Sequence, residues 1–427
     1  MSSADTHLPK RQSFERLSGA DNLSDTENES GRRMVTALSL TKVSDGLLDP
    51  KLVLSWLLNA LGAPGVLIGA LVPIREAGAL LPQGLLSARL QRLEYRKRMW
   101  VAGSAVQGLA ALAIAACGLL LDGWPAGLGI CLALAVLAVA RAGCSVSFKE
   151  VQGKLVGRSR RGAVTGAAAS AGAAGVVVFA VLLMLGLLED RLALVLAVGL
   201  AGVLWISAAV VFAGLPEAPS KTRDDDRGTE FARLWSEDWL LRRFVVVRAL
   251  LVTTALAPPY LVMLSAGQGE GVLRSLGTLV LASALASLLS SYVWGRLSDR
   301  SARLVLCLSG VVGGIAMAAM VGLSLTPLKA TIWAAPLVLF VLMIAYHGVR
   351  QARSTYLVDM SPKDFRGNYA AIANTAVGGV LLVGGLLGAA LAMVGAELVL
   401  ACFAVLSVIG GGLAMTLYSA RQLAEEA

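Results

Sequence analysis

The sequence predicts an all-helical membrane protein, with twelve spanning helices arranged as two pseudo-symmetric halves of six. Three observations predict it. Apolar runs of bilayer length recur along the chain, separated by short polar or turn-rich breaks. Basic residues gather in alternate breaks. A short motif in the first half returns at the same place in the second. Composition agrees, with 56% hydrophobic residues, only 15% charged and a mean hydropathy of +0.72. A soluble chain of 427 residues needs far more polar surface than this. Its 46 glycines suit helices packed closely in lipid.

A spanning helix needs roughly 20 mostly apolar residues. Runs of that kind occupy 37–59, 62–86, 99–121, 126–147, 163–188, 192–214, 243–265, 271–293, 304–325, 331–349, 368–393 and 396–418. Turn residues or charges divide them, as in Gly62-Ala-Pro64-Gly65, Asp122-Gly-Trp-Pro125 and Glu189-Asp190-Arg191. Residues 1–35 are polar, mixed in charge and without a signal-type apolar core, so they read as a disordered cytoplasmic tail. The first half is then 36–216 and the second 243–418, joined by a cytoplasmic linker, 217–242. Within the linker, Phe231 to Leu241 has the pattern of a surface helix. Residues 419–427 form a second tail.

Basic residues set the orientation. Arg89, Arg92, Arg96, Lys97 and Arg98 follow helix 2, and Lys149, Lys154, Arg158, Arg160 and Arg161 follow helix 4. Arg296, Arg300 and Arg303 follow helix 8, and Arg350, Arg353, Lys363 and Arg366 follow helix 10. The opposite side carries only Arg191, Arg274 and Lys329. Both termini are therefore expected in the cytoplasm. The net charge of +9 follows from this topology and implies no nucleic-acid partner. Five scattered cysteines and two histidines suggest neither a disulfide framework nor a metal site, and no cofactor is expected.

Charge inside a span is costly, at about 2.5–3.5 kcal/mol per residue on insertion scales, and normally faces a bundle interior or a watery cavity. Arg75 and Glu76 fall near the centre of helix 2. On helix 1, Lys42, Asp45 and Asp49 share one face by their spacing. Pro50 should break that helix and expose backbone at mid-depth. Asp49, Lys51, Arg75 and Glu76 are then expected at similar depth. Glu76 is the first candidate for a proton carrier and Asp49 the second, with Asp45 beside them. Arg75, Lys51 and Arg141 are candidates for holding solute, as are Tyr260, after Pro258-Pro259, and Tyr346. Arg248, near a span end, is expected to snorkel to the interface. Asn374 is a candidate either to line the cavity or to bond a neighbouring helix. Two alternatives stand. The charges could be a purely structural ion-pair network. Residues 36–51 could instead form a surface helix, leaving eleven spans.

After helix 2 the chain reads Gly84-Leu-Leu-Ser87-Ala-Arg89-Leu-Gln-Arg92, and after helix 8 Gly295-Arg-Leu-Ser298-Asp-Arg300-Ser-Ala-Arg303. Arg161-Gly162 and Arg366-Gly367 echo each other in the same way. Repeated halves are a mark of secondary transporters. At these residues the chain resembles the major facilitator superfamily, over about residues 36–418. Gly295-Arg-Leu-Ser-Asp299-Arg300 is similar to that family's loop between the second and third helices of a half. The resemblance implies gating roles for Gly84, Arg89, Gly295, Asp299 and Arg300. The first copy departs from the pattern, with Ala88 where aspartate is usual. Tyr356 to Gly367 is similar to the family's loop after helix 10. Arg141-Ala-Gly143 partly matches a motif linked with proton coupling.

The expected function is secondary active transport of a small polar or zwitterionic organic solute, coupled to protons and running by alternating access. Solute, protons and membrane lipid are the expected partners, and a monomer in a bacterial inner membrane the expected setting. Proton-driven efflux of drugs or metabolites, or a non-transporting receptor of the same fold, are the alternatives. The chain has no GxxxxGK[ST] loop for ATP and no GxSxG or HExxH arrangement, so neither an ATP-driven pump nor a membrane enzyme is expected.

Overall fold

Proline cannot donate a backbone hydrogen bond, and Pro50 divides the first expected span. In the computed structural model, α1 runs Asp25–Leu47 and α2 Val53–Ala60. The break between them is held by local bonds. The Asp49 carboxylate accepts the Lys51 N–H at 2.9 Å, and the Ser55 hydroxyl donates to the Pro50 carbonyl at 2.8 Å. The structure describes residues 14–15, 23–157, 160–187, 191–220, 228–265, 272–327, 331, 333–362, 366–419 and 422. Every regular element among them is a helix.

The remaining elements follow in order. They are α3 (Gly65–Leu80), α4 (Gln83–Gln91), α5 (Lys97–Leu120), α6 (Gly123–Leu155), α7 (Arg161–Met184) and α8 (Arg191–Ala213). Then come α9 (Gly228–Glu237), α10 (Trp239–Leu251), α11 (Thr253–Leu256) and α12 (Pro258–Ser265). The last four are α13 (Val272–Ser324), α14 (Ala334–Met360), α15 (Arg366–Leu391) and α16 (Ala396–Ala414). Pro258 and Pro259 distort the seventh expected span, which is divided into α10, α11 and α12. The eighth and ninth are merged in α13 across one extended residue, Ser301. Among the described residues, ten helices are long and apolar enough to cross a membrane. The first expected span is not one of them because of its break, and the eighth offers only the shorter apolar run Ser275–Ser290.

Two boundaries differ from expectation in a way that matters below. α6 continues to Leu155 and α14 to Met360, so Lys149, Lys154, Arg350 and Arg353, read as loop, lie on helical extensions. The N-terminal segment also departs from a uniform tail. Phe14, an aromatic in polar surroundings, is buried in the cluster of Met34, Trp100 and Phe212. α1 already begins at Asp25, with the Ser24 hydroxyl accepting the Glu27 N–H, a standard helix cap. Glu27 then accepts from the Gly157 N–H at 2.8 Å and from Arg160 at 2.9 and 2.7 Å. The linker is tied down at its start. The Glu217 carboxylate is fully buried, paired with Lys154 at 2.6 Å and bonded to the Arg96 and Lys97 N–H groups.

In the first part of the chain, α5 packs on α6 and α8, and α1 on α7 and α8. In the second, α13 packs on α14 and α16. Contacts between the two parts concentrate in α3 against α15 and α7 against α13. Glycines permit the close approach. A Cβ on Gly69 would lie 3.1 Å from the Ala389 Cα, and one on Gly385 would overlap the Pro73 ring. These contacts close one end of the molecule, at the start of α3, the end of α15 and α12. Adding a rigid overlap to a packed seam costs about 1–3 kcal/mol. Gly385→Ala is therefore expected to lower the thermal midpoint in detergent. Gly379→Ala on the same helix, where nothing lies within 4 Å, should not.

Glu27 gives a pH-dependent prediction. Burial pushes its carboxyl up, but the Gly157 N–H and the Arg160 guanidinium outweigh that and hold it below 4.5. A depressed carboxylate stabilises the fold above its unfolded value and loses that contribution as pH falls through the folded one. The stability difference between wild type and Glu27→Gln should be full at neutral pH and shrink below about pH 4.5. Thermal melts of both proteins across pH measure it.

Candidate functional site

Between the closed end and the basic end lies a cavity of about 670 Å³. α1 and the Pro50 break supply Lys42, Asp45, Asp49 and Lys51 to it. Across from them, α14 supplies Tyr346, His347, Arg350 and Arg353. α13 adds Ser283, Ser287 and Ser290, and α7 adds the small residues Ala169, Gly172 and Ala173. The walls reach Ser290 and Ser354, so the cavity extends toward the end that carries the basic segments.

The charged side chains are partnered in a specific order. Asp45 of α1 accepts from Arg75 of α3 at 3.2 Å and is paired closely with Arg141 of α6. Three helices are thereby joined through one carboxylate. Glu76, next to Arg75 in sequence, turns to a different partner, Lys51, at 3.7 Å. Lys51 also lies 3.5 Å from the centroid of the Tyr346 ring, a cation–π contact that ties the break in α1 to α14. Among the described residues, Asp49 forms no ion pair; its carboxylate accepts only the Lys51 backbone N–H there. Lys42 and Arg350 line the same space without an ion pair among the described residues. The cavity thus presents one carboxylate outside the ion pairs, together with two cations that are likewise unpaired among the described residues.

The expected candidates separate accordingly. Asp45, Asp49, Lys51 and Tyr346 line the cavity. Arg75 and Arg141 stand behind Asp45, while Glu76 borders a much smaller space with Arg248, Tyr346 and Arg353. Tyr260 lies elsewhere. It is 1% exposed at the closed end, edge-on to Phe403 at 5.8 Å. Pro258 and Pro259 bend its helix, but toward packing rather than toward the cavity. Gly84 meets nothing within 4 Å, and Arg89 and Arg300 are exposed, so Gly84 does not mediate close packing here. The side chains of Gly295 and Asp299 lie outside the described residues.

Arg248 corrects an expectation. It does not reach the interface but is 3% exposed, donating to the Asn374 side chain at 3.2 Å. Asn374 in turn donates to Gln83 at 3.3 Å. This row crosses between the two parts of the chain, and the buried Arg248 Nε has no partner among the described residues. Arg350 and Arg353 were missed because their charges marked the end of a span. The serines of α13 were legible. Ser283, Ser287 and Ser290 recur at helical spacing, so they share one face.

Residues 264–426 match a family model. The family is the Major Facilitator Superfamily. The match is consistent with the motif resemblance and lies in the second half of the chain. Solved transporters share the fold. A mutant form of the nucleoside transporter NupG aligns with a TM-score of 0.71 at 13% identity, covering 91% of this chain and 99% of that one. A POT family transporter in complex with 5-aminolevulinic acid gives 0.70 at 9% identity, covering 90% and 95%. The D-xylose-proton symporter gives 0.67 at 11%, covering 91% and 97%. At these identities the likeness concerns the fold. No curated protein matches in sequence. With ten apolar helices of spanning length among its described residues, the chain is an integral, multi-pass membrane protein.

Removing one partner of a buried ion pair leaves an uncompensated charge and costs about 3–5 kcal/mol. Asp45→Asn strands Arg75 and Arg141 together, whereas Arg141→Ala leaves Asp45 with Arg75. Asp45→Asn is therefore expected to destabilise the protein more than Arg141→Ala. The double variant Asp45→Asn/Arg141→Ala should recover part of the loss. Thermal melts of the purified variants in detergent compare them.

Proposed function

We propose that this chain is a secondary active transporter that moves a small polar organic solute by alternating access, coupled to protons. The solute carries an anionic group, alone or as one end of a zwitterion. In this reading two six-helix halves, 36–216 and 243–418, rock about the central cavity. The linker 217–242 joins them. The basic end faces the cytoplasm, and the closed seam faces the other side. The chain works as a monomer in a bacterial inner membrane.

The observation that carries the proposal is the pairing pattern around the cavity. Asp49 is a carboxylate without an ion pair among the described residues, beside Lys42 and Arg350, which are likewise unpaired there. Asp45, between two arginines, and Glu76, beside Lys51, are both engaged in ion pairs. Asp49 is thus the preferred proton carrier over Glu76. Lys42 and Arg350 are the preferred anion holders, with Ser283 and Ser287 as neutral hydrogen-bonding groups. Asp45, Arg75 and Arg141 fix the wall behind them. Arg300 and Asp299 act at the gate.

The test is flux into liposomes of purified protein under an imposed pH gradient. The panel holds carboxylates, phosphates, amino acids and uncharged sugars. Accumulation of an anionic or zwitterionic compound is expected. Asn at position 49 keeps an acceptor for the Lys51 N–H. Asp49→Asn should therefore reduce gradient-driven accumulation to the level of protein-free liposomes and preserve solute exchange. Glu76→Gln should lose only part. Equal uptake of an uncharged sugar overturns the anion reading, full coupling in a folded Asp49→Asn protein overturns the proton assignment, and no flux of any compound favours a receptor.

A further inference from the structure

A second cavity, of about 700 Å³, lies on the outer surface between α5 and α6, away from the solute cavity. Its walls are apolar: Met99, Ala102 and Val106 from α5, with Val136 and Val139 from α6. Val106, Val136 and Val139 are exposed, so the cleft is open to the surroundings of the bundle. Two arginines stand at its basic end, Arg89 from α4 and Arg98 from the first turn of α5.

Neither arginine has an anionic partner among the described residues. The Arg89 side chain forms no hydrogen bond or ion pair there, and the Arg98 side chain has only the Tyr95 ring, 5.0 Å away. A smaller adjoining cavity shares Arg89 and Leu86 and adds Arg92. Among the described residues no carboxylate lines either space, and Glu94, close in sequence, is not part of the walls. Ala88 occupies the place where the second-half repeat has Asp299, so the first-half repeat has no neighbouring acid for Arg89.

From this arrangement we propose that the cleft holds one anionic phospholipid of the surrounding leaflet. An acyl chain lies along the apolar groove between α5 and α6. The phosphate-bearing headgroup is bound by Arg89 and Arg98. The lining agrees with that occupant. The groove is walled by apolar side chains between α5 and α6, and the two arginines stand at its basic end. Basic groups flanking a transmembrane groove on this side attract acidic headgroups. A guanidinium also offers a forked donor pattern that matches phosphate. The site is separate from the solute cavity and does not depend on the transport reading.

Native mass spectrometry of the purified protein in detergent tests the proposal, with dioleoyl phosphatidylglycerol or dioleoyl phosphatidylcholine added at matched amounts. Phosphatidylglycerol should bind in preference, by about thirtyfold for two basic side chains. Arg89→Gln/Arg98→Gln should erase the preference, while Arg233→Gln, on the exposed surface of α9, should leave it. Ala102→Phe fills the groove and should reduce binding of both lipids. Both variants alter exposed positions, and an unchanged thermal midpoint checks their fold. Equal binding of the two lipids overturns the proposal, as does a preference that survives the double variant. Displacement of the lipid by inorganic phosphate alone overturns the two-part site in favour of a simple anion site.

Discussion

The carboxylate of Asp45 joins three helices, α1, α3 and α6. A charge between apolar helices is expensive unless it is paired and hydrogen-bonded. Asp45 answers two such charges at once, Arg75 on α3 and Arg141 on α6. That leaves Glu76 to Lys51, and Lys51 to the Tyr346 ring. With those groups committed, Asp49 and the cavity-facing cations remain available. The division between structural and available charge follows from this single carboxylate.

The Pro50 break makes the arrangement possible. A continuous helix would carry Lys51 roughly opposite Asp49, away from Glu76. Interrupting α1 lets both side chains address the interior from neighbouring residues. The cost in backbone bonding is limited, because Asp49 and Ser55 take up the groups that the break frees. On the other side of the molecule the same economy of space is met with glycine. Gly69 and Gly385 bring α3 and α15 close enough to close the seam without polar contacts.

Much of this was legible in the sequence because lipid imposes a harsh rule on composition. Among the described residues, most of each apolar run lies in helical backbone, and the charges within runs mark the interior. Pro50 and Pro258-Pro259 announced their breaks. The misreadings share a cause. A charge at the end of an apolar run can leave the membrane or turn inward, and composition does not distinguish the two. Arg350 and Arg353 extend α14 into the cavity wall, and Arg248 is buried on Asn374. Tyr260 failed in the other direction, as a polar aromatic at a bend that serves packing. Phe14 lies in a segment whose mean polarity hid one anchoring ring. Pairing is a matter of three dimensions, and neither Arg75 nor Glu76 reveals its partner in one.

The buried Glu217 also determines the length of the leash between the two parts of the chain. It is fastened to Lys154 and to the start of α5, and the Ser220 N–H is bonded to the Glu94 carbonyl at 2.8 Å. At the far end, α9 already packs on α10 and α15. The two fastened ends, Ser220 and Gly228, are thus eight positions apart in the sequence. A fully extended chain gains about 3.5 Å per residue, so that stretch reaches roughly 28 Å. Any rearrangement that moves the first part against the second must fit within that radius. Lengthening the leash by inserted glycine and serine would leave every helix contact intact and change only the range of travel.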